Sequence, residues 1–97
     1  MRLVLSRRST ADLELIGDYI ASDNPRRAII FLQELRKACS ELCDRPHRFP
    51  VLEGFETQVY RRRPYGNYAI VYQVQHDVVL VVRILNSAMD LASALGD

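Results

Sequence analysis

The segment Val78-Val79-Leu80-Val81-Val82-Arg83-Ile84-Leu85 carries aliphatic side chains at both odd and even positions. Side chains alternate between the faces of a strand, so this strand is apolar on both and has to lie inside a sheet. It needs a neighbour on each edge. The preceding run Tyr68-Ala69-Ile70-Val71-Tyr72-Gln73-Val74 is one, joined to it through the turn Gln75-His76-Asp77. By elimination, the opening Arg2-Leu3-Val4-Leu5 is the other. A further strand is expected over Gln58-Val59-Tyr60-Arg61-Arg62-Arg63, followed by the turn Pro64-Tyr65-Gly66-Asn67.

Between the first and second strands the apolar period changes from two to three and four. Ser9 reads as a helix N-cap, with Asp12 three residues on as a weak capping box, and the helix runs from about Thr10 to about Ala21. Leu13, Ile16 and Ile20 form its apolar face, which Leu15 and Tyr19 widen. Ser22-Asp23-Asn24-Pro25 is the clearest punctuation: Asn24 caps, and Pro25 suits the first helical position because its missing N–H is not needed there. Ala28, Phe31, Leu32, Leu35, Ala38, Cys39 and Leu42 then form a broad stripe on a second helix, expected to end near Asp44 because Pro46 would break it. So short a turn makes the helices an antiparallel hairpin. Residues 45–56 read as a loop, and 86–97 as a short helix or a trailing tail. The order is βααβββ: an α+β domain with a helical hairpin packed on a mainly antiparallel four-stranded sheet.

Ninety-seven residues, 48% of them hydrophobic and 26% charged, make a single domain spanning 1–97 and exclude wholesale disorder. No apolar run approaches the ~20 residues of a membrane span. The N-terminus has no apolar stretch long enough for a signal peptide before Arg7-Arg8, so the expected location is the cytoplasm, with no membrane partner. The net charge of +1 says little, but Arg61, Arg62, Arg63 and Arg83 stand against Asp77 alone in 57–85, while the last twelve residues hold only Asp90 and Asp97. Lys37 is the one lysine among thirteen basic side chains. Guanidinium forks fit ionic recognition of carboxylates and phosphates, although base composition of the coding DNA also produces such a bias.

No catalytic, cofactor or metal site can be assembled from the residue types. Cys39 and Cys43 share a helical face, but their spacing is not that of a structural zinc site and Pro46 takes His47 off that face; they read as buried thiols. His47 and His76 fall in a loop and a turn, and the glycines make no phosphate-binding pattern. Arg61-Arg62-Arg63 is the most unusual run. On a strand, Arg61 and Arg63 face one way and Arg62 the other, with Tyr60, Tyr65 and Tyr68 nearby. The run is either a site for phosphate or an acidic segment, or a charged edge that resists aggregation. Arg83 interrupts an apolar strand, so it should be at least half buried and need a carboxylate or carbonyl partners, among which Asp90 is a candidate.

Taken in order, the βααβββ arrangement, Leu13-Glu14-Leu15-Ile16-Gly17-Asp18-Tyr19-Ile20-Ala21 followed by Asp23-Asn24-Pro25, Tyr68-Ala69-Ile70-Val71-Tyr72, and Val82-Arg83-Ile84-Leu85 before Ala88-Met89-Asp90-Leu91 resemble the ParE branch of the RelE/ParE toxin superfamily. The resemblance covers almost the whole chain. It implies the toxin half of a type II toxin–antitoxin pair, a non-enzymatic inhibitor that traps DNA gyrase on cleaved DNA. The implied partners are a ribbon-helix-helix, ParD-like antitoxin and gyrase, with no direct DNA binding by the toxin alone.

The RelE branch instead cleaves messenger RNA on the ribosome, which requires an acid, a base and charge stabilisation at phosphorus. Here the residue after Tyr68 is Ala69 where that branch has Arg, and Asn86-Ser87-Ala88-Met89 carries no base. Many ParE-like chains have His at the position that aligns with Asn86. The contact residues expected for target or antitoxin are Tyr60, Arg61, Arg62, Arg63, Arg83, Asn86, Met89 and Asp90. The alternatives to gyrase poisoning are RNA cleavage and a non-toxic relic that only binds its antitoxin.

Overall fold

The structure, a computed structural model, describes residues 1–96. Asp97, one of the two charges of the acidic tail, lies outside the described residues. The elements are β1 (Arg2–Leu5), α1 (Arg7–Ala21), α2 (Pro25–Glu41), β2 (Arg61–Tyr65), β3 (Tyr68–Gln75), β4 (Val78–Asn86) and α3 (Leu91–Leu95). The sheet order is β1-β4-β3-β2, with β1 parallel to β4 and the other pairs antiparallel. The expected architecture therefore holds, and β4 lies inside the sheet between the two predicted neighbours.

The helical hairpin covers one face. Leu13, Ile16, Phe31, Leu35, Ala38 and Cys39 pack there against Ile70, Tyr72, Val79, Val81 and Ile84. Gly17 lets the two helices approach: a Cβ at this position would stand 2.8 Å from Leu32 Cδ1. Asn24 caps α2 by accepting from the Arg27 N–H at 3.1 Å, and Pro25 takes the first turn, as expected. α1 corrects the sequence reading. Its N-cap is Ser6, not Ser9, and it starts three residues early; Ser9 is buried in the first turn, donating its N–H to Ser6 Oγ and its hydroxyl to the Ser6 carbonyl. Ser6 also donates to the Val82 carbonyl at 2.7 Å, so the middle of β4 decides which serine caps. Leu15 and Tyr19 do not widen the core: they are 68% and 76% exposed. α2 stops at Glu41 rather than Asp44, and 42–44 continue as turns.

The other sheet face carries a smaller cluster. Val71, Leu85 and Leu95 are buried there beneath Leu52, Phe55, Tyr60, Leu91 and Ala94. β2 begins at Arg61 instead of Gln58, because Val59 adopts a left-handed φ of 54° in a turn closed by its N–H on the Phe55 carbonyl. Pro64 and Tyr65, expected in a turn, belong to the strand; the turn is Gly66-Asn67, with Gly66 at φ 57°. Pro64 fits because Arg62, two residues before it, sends its N–H outward to the Pro50 carbonyl. Pro64 therefore also faces outward, where a missing N–H breaks no ladder bond.

Candidate functional site

Register decides where Arg83 goes. Val71 pairs with Arg83, but Tyr72 pairs with Val81, so Val82 is an extra residue in β4. This bulge puts both Val81 and Ile84 on the helix face. Strict alternation would have aimed Arg83 straight into that apolar core. Residue 83 also lies just past β1, whose last residue Leu5 pairs with Val81. At this open edge the guanidinium reaches both layers. Nε and Nη2 donate to the two Asp12 carboxylate oxygens at 2.8 and 2.9 Å, and Nη1 donates to the Ala94 carbonyl of α3 at 3.4 Å. Asp12 accepts a third bond, from the Ile84 N–H at 2.9 Å, the group β1 would have paired had it continued. The side chains are 13% and 10% exposed. The bond to Asp12 outweighs desolvation and pushes the Arg83 pKa upward.

The partner expected for Arg83, Asp90, is corrected to Asp12. Asp90 is exposed and caps α3, accepting from the Ala92 N–H at 3.0 Å and the Ser93 hydroxyl at 3.1 Å. Asp12 was the residue missed. The available signal was an acidic residue on the apolar face of α1, one position before Leu13.

The other expected contact residues fall into three groups. Arg61 donates to the carbonyls of Phe49 at 2.6 Å and His47 at 3.2 Å. Arg63 donates to the Ala38 carbonyl at 2.7 Å and to Glu41 at 3.2 Å, and lies over the Phe49 ring. Arg63 thus fastens the end of α2 to the loop after it, and Arg61 ties the start of β2 to that same loop. Arg62 is half-buried on the opposite face, and Tyr60 meets the Phe55 ring there at a tilt of 53°. Asn86 ends β4, and it is exposed like Met89. A groove of about 240 Å³ runs between α1 and this end of β4, lined by Asp12, Leu15, Ile16, Tyr68, Asn86 and Met89 among others. The expected residues are thus not one cluster: Arg83, Asn86 and Met89 meet at the groove, while Arg61 and Arg63 sit at the far end of β2.

Burial controls the titratable groups. The Cys39 thiol is pushed up to about 11 by desolvation, against the smaller pull of Arg63 and Arg36. Tyr68 is shifted upward by burial and by the neighbouring Tyr19, and Tyr72 by burial. Tyr72 donates its hydroxyl to the Pro46 carbonyl at 2.8 Å. Among the described residues no three His, Cys, Asp or Glu side chains converge as a metal site, and no helix is long and apolar enough to cross a membrane.

The chain is thus a two-layer βααβββ fold in which Arg61, Arg63 and Arg83 are tied to its own carbonyls and carboxylates. The chain belongs to the family described as the ParE toxin of the type II toxin–antitoxin system parDE, whose model matches residues 3–91. A solved chain of the chromosomal ParDE toxin–antitoxin system from P. aeruginosa shares the fold, with a TM-score of 0.73 and 19% sequence identity over 89% of this chain and 95% of that one. Among curated proteins no sequence matches this chain. The protein is a ParE toxin of a type II system, and such a system implies an antitoxin partner.

Proposed function

We propose that this toxin acts by binding, not by catalysis: it inhibits DNA gyrase by holding it on cleaved DNA, and a ribbon-helix-helix antitoxin neutralises it. The observation that carries the non-catalytic reading is the commitment of three strand guanidiniums, those of Arg61, Arg63 and Arg83. Arg83 is closed onto Asp12, and Arg61 and Arg63 onto backbone carbonyls. A transition-state phosphate would have to displace each from a bond of 2.6–2.8 Å. Ala69 is buried where the nuclease branch has Arg, and exposed Asn86-Ser87-Ala88-Met89 contains no general base. Family membership supports the antitoxin half of the reading, and Asn86 and Met89 are exposed beside a groove.

The test is a gyrase reaction with purified chain, supercoiled plasmid and ATP, quenched with detergent and protease. Linear plasmid that accumulates with toxin and disappears on adding antitoxin is the expected result. No cleavage at saturating toxin would overturn the gyrase assignment. For the antitoxin, the exposed apolar pair Leu15 and Tyr19 supplies anchors one helical turn apart for an amphipathic helix. Leu15→Glu with Tyr19→Asp is expected to weaken the pair by about 2 kcal/mol or more, the scale of interface hot spots. Unchanged affinity by calorimetry would move the antitoxin off α1.

A further inference from the structure

Resting on the reading that the residues after β4 meet the target, we propose that Asp12 is a positioning residue for the C-terminal segment: through Arg83 it sets where 86–96 lies, without touching the target itself. A buried ion pair is seldom kept for stability, since apolar side chains of similar volume stabilise as well or better. What Arg83 offers and an apolar residue cannot is a rigid fork with donors in three directions. It uses them on α1, through both Asp12 oxygens, and on α3, through the Ala94 carbonyl.

α1 and β4 do not need this tie. α1 is seated by Leu13 and Ile16 in the main core, and β4 by ladders on both sides. α3 does. Its other hydrogen bonds are local, from Ala92, Ser93, Ala94 and Gly96 back to Asp90 or Ala92. Among the described residues, Arg83 Nη1 to the Ala94 carbonyl is the hydrogen bond that joins α3 to the sheet. Only Leu95 of this five-residue helix is buried. Because Asp12 holds Nε and Nη2 together, it fixes the direction in which Nη1 points. Asp12 and Met89 line the same groove.

The experiment compares wild-type, Asp12→Asn and Arg83→Lys by amide hydrogen exchange, alongside the gyrase cleavage reaction. Asp12→Asn keeps the shape of the side chain but loses its charge; Arg83→Lys keeps a charge but loses the fork. Both are expected to speed exchange at Ala94 and Gly96 by about tenfold, the worth of roughly one hydrogen bond, with Leu35 and Ile70 unchanged. Uniform acceleration across Leu35 and Ile70 would mean ordinary structural glue and overturn the proposal. So would no change at Ala94 and Gly96. If exchange shifts locally while wild-type protein gives no DNA cleavage, positioning stands and the gyrase reading falls. If wild-type cleaves, local exchange shifts and both variants cleave as well as wild-type, the segment's placement does not govern activity and the proposal falls instead.

Discussion

At the scale of residues, the same amino acid has three different uses. Arg83 bridges two layers, Arg61 and Arg63 fasten the end of α2 and the loop after it to β2, and Arg62 is half-buried on the other face, its side chain without a hydrogen bond or ion pair among the described residues. Their substitutions should differ accordingly. Arg63→Ala is expected to cost about 2 kcal/mol, because the Ala38 carbonyl loses a charge-assisted donor, and Arg62→Ala less than about 0.5 kcal/mol. Urea denaturation curves check the order; equal costs would mean that the carbonyl bonds contribute nothing. Cys39 gives a pH prediction. Its thiol titrates near 11 folded against 9.0 unfolded, so the unfolded state loses its proton first. The stabilising effect is complete below pH 9 and is lost as pH rises toward 11. Thermal melts should therefore fall over that window, and less steeply in Cys39→Ala. Equal slopes would remove burial of this thiol as the cause.

At the scale of elements, close approach and edge protection are the constraints. Gly17→Ala should be nearly neutral: helix propensity gains up to ~1 kcal/mol, while Leu32 Cδ1, a flexible side-chain end, gives way. Gly17→Val cannot be absorbed so easily and should destabilise by about 1–3 kcal/mol, read by the same denaturation curves. Pro64 denies the outer edge of β2 an N–H donor, beyond the point where 50–52 already cover it. Pro64→Thr restores that donor on a β-favouring residue and is expected to increase self-association, measured by sedimentation. A strictly monomeric variant would show that the edge is protected by other means. These elements were legible to different degrees. The α2 stripe and the Asn24-Pro25 cap were read correctly because they depend on chemistry within one turn. The start of α1 was misread because Ser6 and Ser9 are equally good caps by type, and only contact with Val82 of β4 separates them.

At the scale of the whole molecule, the layers and the strand order follow from apolar patterning. An eight-residue run apolar on both faces had to be interior, and the hairpin had to cover the sheet. The family was also visible, because order and spacing of loose motifs survive where identity does not; the P. aeruginosa structure is similar at 19% identity. At this scale the expected salt response is modest. With a net charge of +1 and its internal guanidiniums already paired, toxin–antitoxin affinity should fall only weakly with salt if Leu15 and Tyr19 anchor the partner. A steep fall would transfer the interface to the exposed arginines. Read alone, the chain shows which segments are helix or strand and which strand lies inside, since these are set by local period and hydrophobicity, and the order of its motifs carries the family resemblance. The partner of Arg83 is set by the assembled fold. That choice depends on one extra residue at Val82 and on β1 ending at Leu5. Neither is a property of any stretch of chain read alone: a bulge and a strand end exist only relative to the neighbouring strand.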